Sequence, residues 1–61
     1  MTPREVELIR LMADGLDTKE IAQQLHCSER TVKGTLHHVT RRLRLRNRSH
    51  IVAHAMRYGV I

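Results

Sequence analysis

The fold is decided by Ser28-Glu29-Arg30-Thr31-Val32-Lys33-Gly34-Thr35-Leu36-His37-His38-Val39-Thr40-Arg41-Arg42-Leu43-Arg44. Ser28 can cap the free N–H groups of a first helical turn, and an apolar repeat begins directly after it. At about 100° per residue, the members of this repeat fall within roughly 60° of one another. They are Val32, Leu36, Val39 and Leu43. The pattern predicts an amphipathic helix over about residues 29–44 whose apolar side packs into a core.

The opposite side of this predicted helix is polar and basic. Its residues are Arg30, Lys33, Gly34, His37, Arg41 and Arg44. No acidic residue interrupts this stripe, and glycine, the smallest residue, stands at its middle. One side therefore suits a protein core and the other an anion at close range. This combination is typical of a DNA recognition helix that lies in the major groove.

Length and charge restrict the function further. The 61 residues predict one small domain, residues 1–61, which is too short for a deep catalytic cleft. The net charge is +5, and nine of the eleven basic residues are arginine, the better side chain for phosphates and base edges. Tyr58 is the only aromatic residue, which argues against binding single strands or RNA by base stacking.

The same composition indicates a cellular compartment. A single cysteine, Cys27, excludes an internal disulfide and fits a reducing environment. No apolar run is long enough to span a membrane, and no signal peptide is recognisable. We therefore expect a soluble, cytoplasmic protein with no membrane partner.

Three further helices are predicted from their start and stop signals. Each begins after a residue whose side chain can cap it: Thr2, Asp17 and Asn47. Glu5 and Glu20 can complete capping boxes in the first two. The inward residues of the three helices are Leu8, Ile9, Met12, Ile21, Ala22, Leu25, Ile51, Val52 and Ala55. Gly15 ends the first helix, the second ends near His26, and the last runs over 48–58 to Gly59.

The second and third helices are predicted to form a helix-turn-helix. Only His26 and Cys27 separate the second helix from the Ser28 cap, so the two helices must cross steeply. Val32 fills the space between them. His26 takes a positive φ in the tight turn, and Cys27 packs as a small hydrophobe. The expected fold class is all-α, a four-helix (tetrahelical) helix-turn-helix domain.

In order and spacing, five segments resemble the LuxR-type (GerE/NarL-like) helix-turn-helix domain. They are Thr2-Pro3-Arg4-Glu5, Gly15-Leu16, Lys19-Glu20-Ile21-Ala22, Ser28-Glu29-Arg30-Thr31-Val32-Lys33 and Arg46-Asn47-Arg48. The resemblance implies a sequence-specific, double-stranded DNA-binding domain, usually the C-terminal output module of a bacterial response regulator. In that family the third helix enters the major groove, and the fourth often mediates dimerisation on an inverted repeat.

The resemblance also implies which residues contact DNA. Three match base-reading positions: Lys33, Gly34 and His37. Five match positions that tend to touch phosphates: Thr18, Lys19, Ser28, Arg30 and Thr31. Two departures stand out. Gly34 offers no side chain for readout, and Arg44 stands where glycine is common, so the third helix is expected to fray around 44–46 without a left-handed glycine.

Further contacts are predicted from charge and side-chain size. A basic cluster beside the recognition helix is expected to follow a phosphate backbone. Its members are Arg41, Arg42, Arg44, Arg46 and Arg48. Arg41 and Arg44 are the two predicted to bind phosphates. For Arg48 the alternative is that it bridges helices within the domain. Ser49 and Ala53 are small enough for two fourth helices to approach closely. Met56 fills the contact and His54 lies beside it, which predicts a homodimer on DNA.

Other classes of function are less well supported. His50 and His54 have a spacing that can chelate zinc, but no carboxylate or cysteine lies nearby in sequence, so no metal or cofactor is expected. The chain lacks a nucleophile–base pair and is not expected to be an enzyme. A sigma-factor-like promoter-reading domain and a protein-interaction module that has lost DNA contact remain alternatives. RNA polymerase is a further candidate partner.

Overall fold

Four helices account for the architecture in the computed structural model, which describes residues 1–61. They are α1 (Pro3–Ala13), α2 (Thr18–Gln24), α3 (Glu29–Leu43) and α4 (Arg48–Arg57). There is no β-strand, and the predicted all-α, four-helix class is confirmed. The helix ends differ slightly from expectation, because α2 stops before His26 and α4 before Tyr58. None of the four is long and apolar enough to cross a membrane.

All four helices begin in the same way. A side-chain oxygen of the residue before the helix accepts the backbone N–H three positions later, which satisfies one of the free donors of the first turn. The capping residues are Thr2, Asp17, Ser28 and Asn47. The capping boxes predicted for α1 and α2 are both present, with Glu5 and Glu20 bonding back to the cap backbone at 3.0 and 2.9 Å. Short polar side chains thus fix where each helix starts.

All four helices also end in the same way. Each is followed by one residue with positive φ: Gly15, His26, Arg44 and Gly59. The next residue is apolar or cysteine, and its N–H bonds back to a carbonyl of the last helical turn, which is a Schellman motif. The predicted positive φ of His26 is confirmed at 54°. The expected fraying of α3 is wrong, because Arg44 itself takes the left-handed conformation and Leu45 N–H bonds Thr40 O at 2.9 Å.

The core lies where α1, α2, α3 and α4 meet. Its buried apolar residues are Leu8, Ile9, Met12, Ile21, Ala22, Leu25, Val32, Val39, Leu45, Ile51 and Ala55. Val32 is fully buried, which confirms its predicted place in the helix-turn-helix. Leu36 and Leu43 of the same stripe are half-buried against this core, as are Cys27 and Val52. The apolar side of α3 therefore faces inward along its whole length.

An ion pair between a buried carboxylate and a partly exposed guanidinium joins α1 to α3. The Glu5 side chain is only 7% exposed, and its two oxygens accept hydrogen bonds from Arg42 Nη2 at 2.8 Å and Nη1 at 3.3 Å. These hydrogen bonds, and then the one from Thr2 N–H, hold the pKa of Glu5 below its ordinary value. Arg42 of the predicted phosphate-following cluster thus has its guanidinium engaged within the domain, and its contact with phosphate stays a prediction.

Two more arginines tie the helices together. Arg4 Nη2 donates to the carbonyl of Leu25 at the end of α2, at 3.1 Å. Arg48 Nη2 donates to the carbonyl of Leu16 in the turn between α1 and α2. The bridging alternative predicted for Arg48 is thus confirmed. These bonds hold the helix-turn-helix against α1 and α4.

Candidate nucleic-acid interface

The outer side of α3 is exposed along its length. Its inner side is anchored by the buried Val32 and Val39, so the side chains on the opposite stripe point to solvent. The exposed residues of that stripe within the helix are Arg30, Lys33, Gly34, His37 and Arg41. The structure therefore brings all three predicted base-reading residues and two of the predicted phosphate ligands to one side of α3. We call this surface the α3 outer face. Arg44 follows the helix and instead lines a separate depression with His50 and His54 of α4.

A shallow depression lies over the middle of this face. It is lined by Gly34, His37, His38, Arg41 and Arg42, with no apolar side chain among them. A Cβ atom added to Gly34 would meet nothing within 4 Å. The depression is therefore open to an approaching molecule, and the helix backbone is accessible at its floor.

Lys33 has one neighbour of opposite charge. Its Nζ lies 3.7 Å from Glu29 Oε2, one helical turn earlier, and its side chain remains 65% exposed. Exposed pairs of this kind contribute about 0.3–0.5 kcal/mol, so the ammonium group can leave Glu29 for a stronger partner at little cost. This i,i+4 pair was readable in the sequence and was missed there.

The other predicted phosphate ligands lie at the starts of α2 and α3. Ser28 Oγ accepts Thr31 N–H at 3.1 Å and lies 2.9 Å from Thr31 Oγ1, and both residues are exposed. Lys19 is exposed and Thr18 is half-buried in the first turn of α2. Free N–H groups and the helix dipole make such termini favourable for anions.

Charge is divided unevenly along the chain. Residues 1–29 contain three basic and all six acidic residues, a net charge of −3. Residues 30–61 contain eight basic and no acidic residues, a net charge of +8. The second group includes the α3 outer face and all of α4, and the Glu29 carboxylate beside Lys33 lies at the edge of this face. This division can be read directly from the sequence.

The residues predicted to form a dimer contact do not share one environment. Ser49, Ala53 and Met56 are exposed on one side of α4, and Met56 is 64% exposed. His54 is half-buried, and its ring centroid lies 4.7 Å from that of Tyr58. The structure therefore groups the first three residues and places His54 beside the helix end.

The two histidines of α4 have partners within the chain. His50 Nδ1 accepts the backbone N–H of Arg46 at 3.1 Å, while the His54 ring packs against the Tyr58 ring at an interplanar angle of 44°. No group of three or more His, Cys, Asp or Glu side chains comes together that could hold a metal ion.

Comparison with known sequences gives a consistent result. The family described as "Bacterial regulatory proteins, luxR family" matches residues 1–55. The transcriptional regulatory protein LnrK of Bacillus subtilis is 37% identical over 60 residues, which cover 98% of this chain and 27% of LnrK. The nitrate/nitrite response regulator protein NarL of Escherichia coli is 40% identical over 48 residues, 79% of this chain and 22% of NarL.

A third relative is much longer. The putative HTH-type transcriptional regulator Mb0914c of Mycobacterium bovis is 42% identical over 59 residues, which cover 97% of this chain but only 7% of that protein. The chain thus corresponds to a minor part of each of these relatives. No solved structure matches it significantly.

Proposed function

Because this chain belongs to the luxR family of bacterial regulatory proteins, we propose that residues 1–61 form one domain that reads a specific sequence in double-stranded DNA. The family is a class of DNA-binding transcription regulators and not an enzyme class. In the proposal the domain catalyses no reaction, works in the cytoplasm and serves as the output module of a larger response regulator. RNA polymerase is its further candidate partner.

One observation carries the proposal. The α3 outer face is exposed and basic, while the opposite side of the same helix is fixed in the core by Val32 and Val39. A helix held in this way can enter the major groove with a constant set of side chains directed at the bases. The alternative of an interaction module without DNA contact leaves this basic surface without a purpose.

Within the interface we assign two kinds of contact. Lys33 and His37 have donors that can reach base edges at the centre of the α3 outer face, with Gly34 between them. The predicted phosphate ligands surround this centre: Thr18, Lys19, Ser28, Arg30, Thr31, Arg41 and Arg44. The phosphate contacts supply most of the affinity and the base contacts supply the specificity.

We further propose that two copies bind an inverted repeat. A single recognition helix covers too few base pairs to select a site in a genome, whereas a two-fold dimer reads half-sites about 10–10.5 bp apart. The exposed side of α4 with Ser49, Ala53 and Met56 is the proposed contact, and His54 borders it. This apolar area is small, so we expect free monomers that pair on DNA.

The test is a selection of bound duplexes from a random pool, followed by titration of the selected duplex over a range of salt concentrations. We expect one enriched motif with two-fold symmetry and an affinity that falls steeply with salt. A chain that enriches no motif, and binds all duplexes equally weakly, would contradict the proposal. It would favour the interaction-module alternative.

A further inference from the structure

Gly34 has no role in the fold that requires glycine. It lies in the middle of α3 with ordinary helical backbone, unlike Gly15 and Gly59, which have positive φ. An added Cβ would have open space around it. Glycine is nevertheless one of the least favourable residues for a helix interior. Neither backbone geometry nor packing within the domain explains the glycine. A molecule that comes close to this point of the helix from outside the domain would explain it.

The surroundings of Gly34 limit what that molecule can be. The depression above Gly34 is bordered by histidine and arginine side chains, which carry hydrogen-bond donors, and no hydrophobic residue lines it. Gly34 itself presents only its Cα hydrogens and can neither donate nor accept through a side chain. A group that sits directly on Gly34 must therefore be small and need no hydrogen bond, while polar groups around it are bound at the border.

We propose that the missing Cβ of Gly34 accommodates the C5 methyl group of a thymine, so that Gly34 determines specificity for thymine at one position of the binding site. Among the base edges of the major groove, only thymine carries a methyl group, and the groups that distinguish the other bases are hydrogen-bond donors and acceptors that require partners. The inference rests on the proposed function and adds the identity of one base.

The proposal predicts that one methyl group on the DNA and one on the protein compete for the same space. Deoxyuridine differs from thymidine only by that methyl group, and Gly34→Ala adds only a Cβ. We would measure the dissociation constants of the chain and of Gly34→Ala on the duplex selected from a random pool. The same duplex would then carry deoxyuridine in place of thymidine, one position at a time.

We expect one thymine position to behave differently from all others. There, deoxyuridine weakens binding by the parent chain about fourfold, the value for one lost apolar contact of a methyl group. Gly34→Ala weakens binding to the thymine duplex about tenfold, because two methyl groups overlap. On the duplex with deoxyuridine at this position, Gly34→Ala and the parent chain bind with equal affinity, because the added Cβ occupies the space that the thymine methyl group has left.

Two controls accompany this comparison of two proteins on two duplexes. Deoxyuridine at every other thymine should change the affinities of the parent and the variant by the same factor. The midpoint temperature of thermal unfolding should be about 4–8 °C higher for Gly34→Ala than for the parent chain, since alanine favours the helix and its Cβ meets no neighbour. A variant that is more stable but binds more weakly separates the loss of affinity from any damage to the fold.

The outcomes are distinct. If Gly34→Ala loses the same factor on thymine and deoxyuridine duplexes at every position, or loses none, the assignment of thymine to Gly34 is wrong while the proposed DNA binding stands. If no duplex is enriched from the random pool, the proposed function itself fails, and this inference fails with it.

Discussion

Replacing Val32 with alanine tests the register of α3, on which the whole interface depends. The Val32 side chain is fully buried between α2 and α3. The change removes two methyl groups, each worth about 0.8 kcal/mol in transfer free energy. The cavity that remains adds up to about 1 kcal/mol, because the surrounding side chains relax only in part. We therefore expect a loss of about 2–3 kcal/mol in the free energy of unfolding.

This loss is large for so small a domain. At about 0.05–0.15 kcal/mol per residue, a chain of 61 residues has about 3–9 kcal/mol of stability in total. The variant should therefore unfold about 10–20 °C below the parent chain in a thermal melt followed by circular dichroism. Urea denaturation at a fixed temperature gives the free energy directly, provided that its slope does not change.

Val6→Ala is the matched control. Val6 lies on α1, is only half-buried and is not part of the core, so the same chemical change should cost less than about 0.5 kcal/mol. If Val32→Ala and Val6→Ala had equal effects, Val32 would not be buried. The division of α3 into an inner side and an outer face would then be incorrect.

Three further predictions concern DNA, assembly and pH. Arg30→Ala should weaken binding to all duplexes and lower the slope of log affinity against log salt concentration by about one. Lys33→Ala should weaken binding to the selected duplex far more than binding to random DNA. Equal losses on both kinds of DNA would make Lys33 a contact to the DNA backbone. Ala53→Glu should abolish cooperative filling of an inverted repeat in a gel-shift titration and leave affinity for one half-site nearly intact; cooperative binding by this variant would place the dimer contact elsewhere. Folding lowers the pKa of Glu5. The stabilisation by its ion pair with Arg42 is therefore complete at pH values above the ordinary glutamate pKa of 4.5, and it is lost as the pH falls through the pKa of Glu5 in the folded state. Glu5→Gln should therefore unfold at lower urea concentration at neutral pH, and the difference from the parent should shrink in acid; a constant difference would contradict the assignment.

Much of the fold could be predicted because its signals are local. Each cap at a helix start joins residues three positions apart, and the apolar period of α3 is contained within one helix. The positive φ of His26 followed from the shortness of the turn. Such features depend on neighbours in sequence, which a reader of the sequence can see directly.

The features that sequence reasoning missed depend on distant or competing partners. Glu5 and Arg42 are 37 positions apart, and Glu5 was already accounted for by its capping box. The defined end of α3 depends on burial of Leu45, which draws Arg44 into a left-handed conformation. Within the candidate site, the period of α3 placed Lys33 and His37 correctly on the exposed side.

The uneven division of charge has a consequence for how quickly the domain finds DNA. Residues 30–61, which contain the α3 outer face and α4, carry +8 with no acidic side chain, against −3 in residues 1–29. An excess of positive charge attracts the phosphates of a duplex over about a Debye length, before the surfaces touch. The association rate should therefore exceed that of a domain with the same contacts and no such excess, and the advantage should shrink as salt is added.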